Sequence, residues 1–147
     1  MGALSEVEIL LVEDDPHYVE LTLRALKRVN LTNRIHVVRD GVEALDFLFS
    51  RRTYAEREGA DMPKVVLLDL KLPKLDGLDV LAQIRQDERT RLMPVVVLTS
   101  SREAPDIQRS YALGVNSYIV KPVEFETFVR AVSEAGLYWL LLNQPPG

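Results

Sequence analysis

Short apolar runs alternate along the chain with longer segments in which apolar residues recur every three or four positions. The short runs are Val7–Val12, Ile35–Val38, Val65–Leu68, Pro94–Leu98 and Ser117–Val120. The run Val65–Leu68 is unbroken, which is typical of a strand buried on both faces of a parallel sheet. The segments between the short runs have helical spacing, so the pattern predicts five strands alternating with five helices.

Two helix starts carry clear signals. Asp15 followed by Pro16 predicts an N-cap and a first helical residue, and Asp40 with Glu43 predicts a pair similar to a capping box at the second helix. The segment 50–63 is charged and loses the apolar stripe, so we interpret it as a helix extension or a surface loop, and we favour a solvated connection.

The last helix is predicted to continue toward Leu142, with an apolar inner face. Its inward residues are predicted to be Phe125, Phe128, Val129 and Val132. The stretch from Tyr138 to Leu142 is apolar all round, whereas a helix packed on a sheet needs only one apolar stripe. We expect this surface to be covered, either by a second copy of the chain or by the tail folding back on its own domain.

The alternation of strands and helices indicates the α/β class, with right-handed crossovers between parallel strands. We predict a flavodoxin-like (βα)5 fold, a doubly wound parallel sheet with strand order 2-1-3-4-5. The length of 147 residues suits one domain over residues 1–147, with a core over about 6–136 and a helical extension and tail over about 137–147.

Charge and composition narrow the function classes. With 18 lysines and arginines against 22 aspartates and glutamates, the net charge is −4, and the basic surplus that nonspecific nucleic-acid binding requires is missing. The chain has no cysteine, which excludes disulfides and thiolate metal sites. We find no signal peptide and no apolar run long enough to span a membrane, and we expect a cytoplasmic protein.

Charged and hydroxyl side chains follow the predicted strands. Glu13 and Asp14 follow the first strand, Asp69 the third, Thr99 the fourth and Lys121 the fifth. The carboxyl ends of parallel strands share one edge, which is where open α/β sheets bind ligands. Clustered carboxylates without histidine or cysteine favour Mg²⁺, which would let an aspartate attack a phosphoryl group despite their like charges. Taken alone, each of these residues would more often be a helix cap, an acid in a polar rim or an ion-pair partner than a site residue. The prediction of a functional site therefore rests on the whole set.

Four ordered motifs resemble the receiver domain of two-component response regulators. They are Ile9–Asp15, Leu67–Pro73 with Asp76-Gly77, Val97–Ser100 and Tyr118–Pro122. The resemblance covers nearly the whole chain. It implies that Asp69 is the phosphoacceptor for a histidine kinase, and that the chain promotes its own phosphorylation and dephosphorylation rather than acting as an enzyme on another substrate.

The resemblance also implies a role for each remaining site residue. Mg²⁺ would be held by Asp14, Asp69 and the backbone carbonyl of Lys71, with Glu13 acting largely through water. Thr99 and Lys121 would bind the phosphoryl group, and Tyr118 would turn inward when Thr99 is drawn toward that group. The family further implies a cis peptide bond between Lys121 and Pro122.

A finer resemblance points to the single-domain regulators that serve phytochrome-type light-sensing kinases. It rests on the long connection 50–63, on Asp106-Ile107 with Ser110-Tyr111, and on the tail Trp139–Asn143. It implies a phytochrome-type sensor kinase as partner. With no output domain following, we expect signalling by protein contact and a homodimer through helix four, strand five, helix five and the C-terminal extension.

Three other functions stay open at this point. A degenerate receiver acting only as a binding or dimerisation module is disfavoured, because every expected site residue is present. A phosphohydrolase with Asp69 as nucleophile would need a second acid two residues on, where this chain has Lys71. A nucleotide-binding fold is weaker still, because the first strand is followed by neither a Walker loop nor a glycine-rich dinucleotide turn.

Overall fold

The computed structural model describes residues 7–28, 34–122 and 124–137. Its five parallel strands form one sheet in the order β2-β1-β3-β4-β5. The strands are β1 (Ile9–Val12), β2 (Ile35–Val38), β3 (Val65–Leu68), β4 (Val95–Thr99) and β5 (Ser117–Val120). The helices are α1 (Pro16–Arg28), α2 (Gly41–Leu48), α3 (Gly77–Gln86), α4 (Ala104–Ala112) and α5 (Phe125–Leu137). The predicted flavodoxin-like fold and strand order are confirmed.

The sheet is buried on both faces, as the unbroken apolar runs predict. One face packs on α2 and α3 through side chains such as Leu45 and Ile84, and the other packs on α1 and α5 through Leu26 and Phe128. All residues of β1, β3 and β4 are buried, whereas every residue of the edge strand β5 is only half-buried. The core therefore centres on the three inner strands, and the β5 edge is less well covered.

The predicted helix starts are present. The Asp15 carboxylate accepts a hydrogen bond from the amide of His17 at 2.9 Å, and that of Asp40 accepts one from Glu43 at 2.7 Å. The Glu43 carboxylate in turn accepts from the amide of Arg39 at 3.1 Å, one residue earlier than a capping box requires. These bonds satisfy free amides at the amino ends of α1 and α2.

The interpretation of segment 50–63 as a solvated connection is wrong for its middle part. Residues Arg52–Arg57 form a 3₁₀ helix in which Tyr54 and Arg57 are buried. The Tyr54 ring packs edge-on against Phe47, and the Arg57 guanidinium lies 3.8 Å from the centroid of the Phe47 ring. The charged composition hid this packing, because an arginine buries its planar group well when it stacks on an aromatic ring.

Several sequence predictions fall outside the described residues. These are the continuation of the last helix toward Leu142, the tail 138–147 and the side chain of Val132. The single-domain span 1–147 therefore stays a prediction. Within the part of the chain that the structure describes, no helix has the length and apolar character needed to cross a membrane.

Candidate functional site

Two central strands bring three carboxylates together at the carboxyl edge of the sheet. Val12 of β1 lies opposite Leu68 of β3, so the acids that follow both strands emerge side by side. Glu13 and Asp69 are buried, with exposed fractions of 1% and 5%, and Asp14 is exposed. One carboxylate oxygen from each acid lies within 4.8 Å of the others. The cluster that the sequence predicts is therefore present, with two members shielded from water.

Lys121 reaches this cluster from the end of β5. The register of β4 and β5 places Thr99 opposite Val120, and the Lys121 amide donates to the Thr99 carbonyl at 2.8 Å. The Lys121 Nζ atom lies 2.8 Å from Glu13 Oε1 and 3.1 Å from Asp69 Oδ2. The peptide bond before Pro122 is cis, as the resemblance implies. Lys121 thus contacts Asp69, and it also contacts Glu13, which sequence reasoning did not anticipate.

Burial and neighbouring charges shift the pKa values of Glu13 and Lys121. Burial raises the pKa of Glu13 to about 7; the Lys121 hydrogen bond opposes the rise, and the charge of Asp69 adds to it. Burial lowers the pKa of Lys121, but its hydrogen bond to Glu13 and the charge of Asp69 outweigh burial and raise this pKa overall. The cluster has three carboxylates and the Lys121 ammonium contacts two of them, so a bound cation would favour the ionised form of Glu13.

The donor set fits a hard divalent cation. Carboxylate oxygens without nitrogen or sulfur donors are the ligands that Mg²⁺ prefers, and Mg²⁺ usually keeps several waters beside one or two carboxylates. The amide of Lys71 donates to Asp69 Oδ1 at 3.0 Å, so the chain after β3 folds closely around the acid. Coordination by the Lys71 carbonyl remains a prediction.

Thr99 and Tyr118 meet at the loop that follows β4. Thr99 is fully buried, and its Oγ1 atom accepts a hydrogen bond from the amide of Ser101 at 3.3 Å. The half-buried Tyr118 donates from its hydroxyl to the carbonyl of Ser101 at 3.0 Å. The two residues that the resemblance treats as a switch are therefore both bonded to the backbone of one residue.

Three residues around the site were missed as site residues by sequence reasoning. Ser101 and Asp106 bond to each other through their side chains, and the Tyr18 ring lies 4.2 Å from Lys121 Nζ. Ser101 and Asp106 lie where a strand-end loop leads into a helix, a pattern common to many caps. Tyr18 carries no signal of its own, because its place depends on how α1 crosses the sheet.

The chain is similar to proteins of a known family. Residues 9–133 match the family model described as the response regulator receiver domain. The chain is 48% identical to the probable methanogenesis regulatory protein FilR2 of Methanothrix harundinacea, over 95% of this chain and 87% of that protein.

Two solved structures are also similar. The bacteriophytochrome response regulator RtBRR is 54% identical, with a TM-score of 0.77 over 94% of this chain and 82% of that one. The Mn²⁺-bound form of response regulator Rcp1, a Synechocystis protein, is 37% identical, with a TM-score of 0.78 over 95% of this chain and 98% of that one. The match to the family model and the similarity to these solved structures show that the chain belongs to the response regulator receiver domain family and is related to phytochrome response regulators.

Proposed function

We propose that this chain accepts a phosphoryl group on Asp69 from the phosphohistidine of a sensor histidine kinase, in a reaction that depends on Mg²⁺. The observation that carries the proposal is the position of the Asp69 carboxylate. It lies 3.1 Å from the Lys121 ammonium and within 4.8 Å of oxygens from Glu13 and Asp14. A buried acid between a fixed positive charge and a cation site has the surroundings that phosphoryl transfer requires.

The metal ligands in this proposal are Asp14, Asp69 and the backbone carbonyl of Lys71, with Glu13 acting largely through water. When bound, Mg²⁺ neutralises the carboxylates and the incoming phosphoryl oxygens. The chain itself supplies the nucleophile and orients it, because Asp69 Oδ1 accepts from the Lys71 amide and Asp69 Oδ2 from Lys121.

In the transfer step, one Asp69 oxygen attacks phosphorus while the bond from phosphorus to the histidine nitrogen breaks. The electron pair of that bond leaves with the imidazole, and Asp69 becomes an acyl phosphate. Lys121 pairs with one phosphoryl oxygen as a point charge, and the Thr99 hydroxyl donates to another. The protein promotes its own phosphorylation and the later hydrolysis of the acyl phosphate.

Phosphorylation of Asp69 acts by changing the contacts that this chain makes with other proteins. Phosphorylation adds negative charge beside Thr99, whose hydroxyl moves toward the phosphoryl group, and the Tyr118 ring turns inward behind it. The surface formed by α4, β5 and α5 changes as a result. We propose that this surface, with the C-terminal extension, forms a homodimer, which is supported by the half-buried edge strand β5 and by Tyr111 of α4, 52% exposed.

A phytochrome-type light sensor is the kinase that we propose, on the basis of the similarity to RtBRR and Rcp1. FilR2, named as a methanogenesis regulator, is also a close relative, so the partner needs a direct measurement. Transfer rates from a phytochrome-type kinase and from an unrelated sensor kinase, each labelled beforehand on histidine, would be compared. Faster transfer from the unrelated kinase would contradict the pairing.

The central experiment follows the label from a phosphorylated kinase to this protein with and without Mg²⁺. Wild type should take the label only with Mg²⁺, and Asp69→Asn should take none while keeping its circular dichroism spectrum. Asp79→Asn, which changes an exposed acid of α3, is the matched control and should be labelled like wild type. Label on Asp69→Asn, or an unlabelled wild type acting as a binding module alone, would contradict the proposal.

A further inference from the structure

We infer that Asp106 is a positioning residue that holds the Thr99–Tyr118 pair in the unphosphorylated arrangement, acting through Ser101 and Lys71. This inference rests on the proposed phosphoryl transfer to Asp69. Asp106 does not enter the roles described above, because it lies on α4 rather than at a strand end.

Ser101 connects three parts of the site through three different groups. Its amide donates to Thr99 Oγ1 at 3.3 Å, and its carbonyl accepts from the Tyr118 hydroxyl at 3.0 Å. Its own hydroxyl donates to Asp106 Oδ2 in a short hydrogen bond. Since Ser101 is 95% shielded from water, with an exposed fraction of 5%, these bonds form away from solvent competition. A shift of Ser101 would therefore move the partners of both Thr99 and Tyr118.

Asp106 holds Ser101 from the side of α4 and is itself held from the opposite loop. Lys71 Nζ lies 3.5 Å from Asp106 Oδ2, and the Lys71 amide donates to the phosphoacceptor Asp69. Asp106 thus links the loop after β3, which carries Asp69, to the loop after β4, which carries Ser101. We call the chain of side-chain contacts Lys71–Asp106–Ser101 the loop bridge.

The loop bridge favours the resting arrangement for a physical reason. A phosphoryl group on Asp69 draws the Thr99 hydroxyl toward itself and also competes with Asp106 for the positive charge of Lys71. Both effects weaken the loop bridge: movement of Thr99 displaces Ser101, which is bonded to it, and the competition weakens the contact of Lys71 with Asp106. Moving Ser101 away from Asp106 costs free energy, which opposes phosphoryl binding. Removal of Asp106 removes this cost, so it should make the binding tighter.

If Asp106 only stabilised the helix, its removal would have a different effect on binding of a phosphoryl mimic. Asp106 lies in the first turn of α4, where a carboxylate stabilises the helix, and the Ser101 hydroxyl accepts from the amide of Glu103 near the same helix end. Loss of a helix-stabilising acid would lower the free energy of unfolding, but it would not make a phosphoryl mimic bind more tightly. Affinity for such a mimic therefore separates the two roles.

The test uses fluoroberyllate, a mimic of the phosphoryl group, at saturating Mg²⁺ with the full chain. Asp106→Ala should lower the dissociation constant for fluoroberyllate about tenfold, comparable to one hydrogen bond to a charged group, while the Mg²⁺ dissociation constant stays unchanged. Ser101→Ala should change it in the same direction, and the double variant should add little because both substitutions remove one contact. Asp79→Asn is the first-turn control on α3.

A second variant and a second signal keep the inference testable if Asp106→Ala folds poorly. Asp106→Asn still accepts the Ser101 hydrogen bond but loses the charge that pairs with Lys71, and it should give an intermediate gain. In NMR spectra without fluoroberyllate, the Tyr118 ring resonances of these variants should shift toward their positions in the fluoroberyllate complex. Equal or weaker fluoroberyllate binding by the variants overturns the inference, whereas a wild type that binds no fluoroberyllate overturns the proposed function instead.

Discussion

Gly77 packs against the backbone of Asp69 with no room for a side chain. A Cβ atom on Gly77 would overlap the carbonyl oxygen of Asp69 and lie 2.5 Å from the Cα atom of Leu70. The Gly77 amide also donates to the Leu70 carbonyl at 2.9 Å. The start of α3 is thus in close contact with the end of β3, and this contact fixes where the Asp69 backbone lies.

Gly77→Ala should therefore disturb both stability and the site. Forcing a methyl group into this contact should lower the free energy of unfolding by about 1–3 kcal/mol. It should also weaken Mg²⁺ binding, because the Asp69 backbone must shift. Urea denaturation and calorimetric Mg²⁺ titration measure the two effects.

Gly59→Ala provides the control for this substitution. Gly59 has a φ of +85° and no atom within 4 Å of a Cβ position, so alanine there costs only backbone strain. We expect a loss of about 1 kcal/mol with unchanged Mg²⁺ affinity. Equal Mg²⁺ affinity in Gly77→Ala and wild type would show that the close packing does not position Asp69.

Asp14→Ala tests the proposed metal site while leaving Asp69, the proposed phosphoacceptor, unchanged. A carboxylate beside a divalent cation is worth more than about 1.4 kcal/mol even in water, so Mg²⁺ affinity should fall at least about tenfold. In metal-free buffer the variant should be no less stable than wild type, since one of three mutually repelling carboxylates is gone. The thermal stabilisation that added Mg²⁺ gives to wild type should shrink accordingly.

Calorimetric titration and thermal melts with and without Mg²⁺ check this expectation. Asp61→Ala, at an exposed loop position, is the control and should behave like wild type. A variant that binds Mg²⁺ as tightly as wild type would remove Asp14 from the ligand set.

His36 predicts a pH dependence of stability. Its ring stacks on Phe47 at 4.7 Å and lies 3.0 Å from the Tyr54 hydroxyl. Burial lowers the pKa of His36 from its ordinary value of 6.5; the charge of Glu43 opposes this effect and the charge of Arg57 adds to it. The unfolded chain therefore binds a proton at a higher pH than the folded chain, so the contribution of His36 to stability is present above pH 6.5 and is lost as the pH falls through the folded-state pKa.

The measurement compares His36→Gln with wild type in urea from pH 7.5 down to pH 5. The stability advantage of wild type over His36→Gln should shrink as the pH falls, and the comparison cancels other groups such as Glu13. His17→Gln is the matched control, because His17 is the other of the two histidines and is exposed on α1. A difference between wild type and His36→Gln that is constant with pH would contradict the prediction.

The parts of the fold that the sequence predicts are those set by local pattern. Apolar runs indicate β1, β3 and β4 because these strands are buried on both faces. The end of the run in β3 then places Asp69 at the carboxyl end of that strand. The contact between Lys121 and Glu13 and the bond between Ser101 and Asp106 depend on side-chain reach between distant elements. Such contacts have no fixed spacing in sequence, so pattern alone does not show them.

Arg85 binds the loops at the end of the sheet opposite Asp69. Its guanidinium donates to the carbonyls of Leu113 at 2.5 Å and Gly114 at 3.1 Å beyond α4, and to those of Met93 at 2.6 Å and Arg91 at 3.2 Å before β4. Gly114 has a φ of +76°, so the chain turns sharply at this contact. One planar group with several donors thus holds two loops together, a geometry that a lysine ammonium does not reproduce.

Arg85→Lys should therefore lower the free energy of unfolding by about 1–3 kcal/mol even though it keeps the charge, because the part-buried carbonyls of Leu113 and Met93 lose guanidinium donors. Urea denaturation measures the loss, and amide exchange should rise for the residues that follow α4. Arg109→Lys, at an exposed position on α4, should change stability by less than about 0.5 kcal/mol. Mg²⁺ affinity should be unchanged in both variants, because Arg85 lies at the opposite edge of the sheet from Asp69. Equal unfolding free energies for the two variants would mean that the carbonyls find water as a replacement donor.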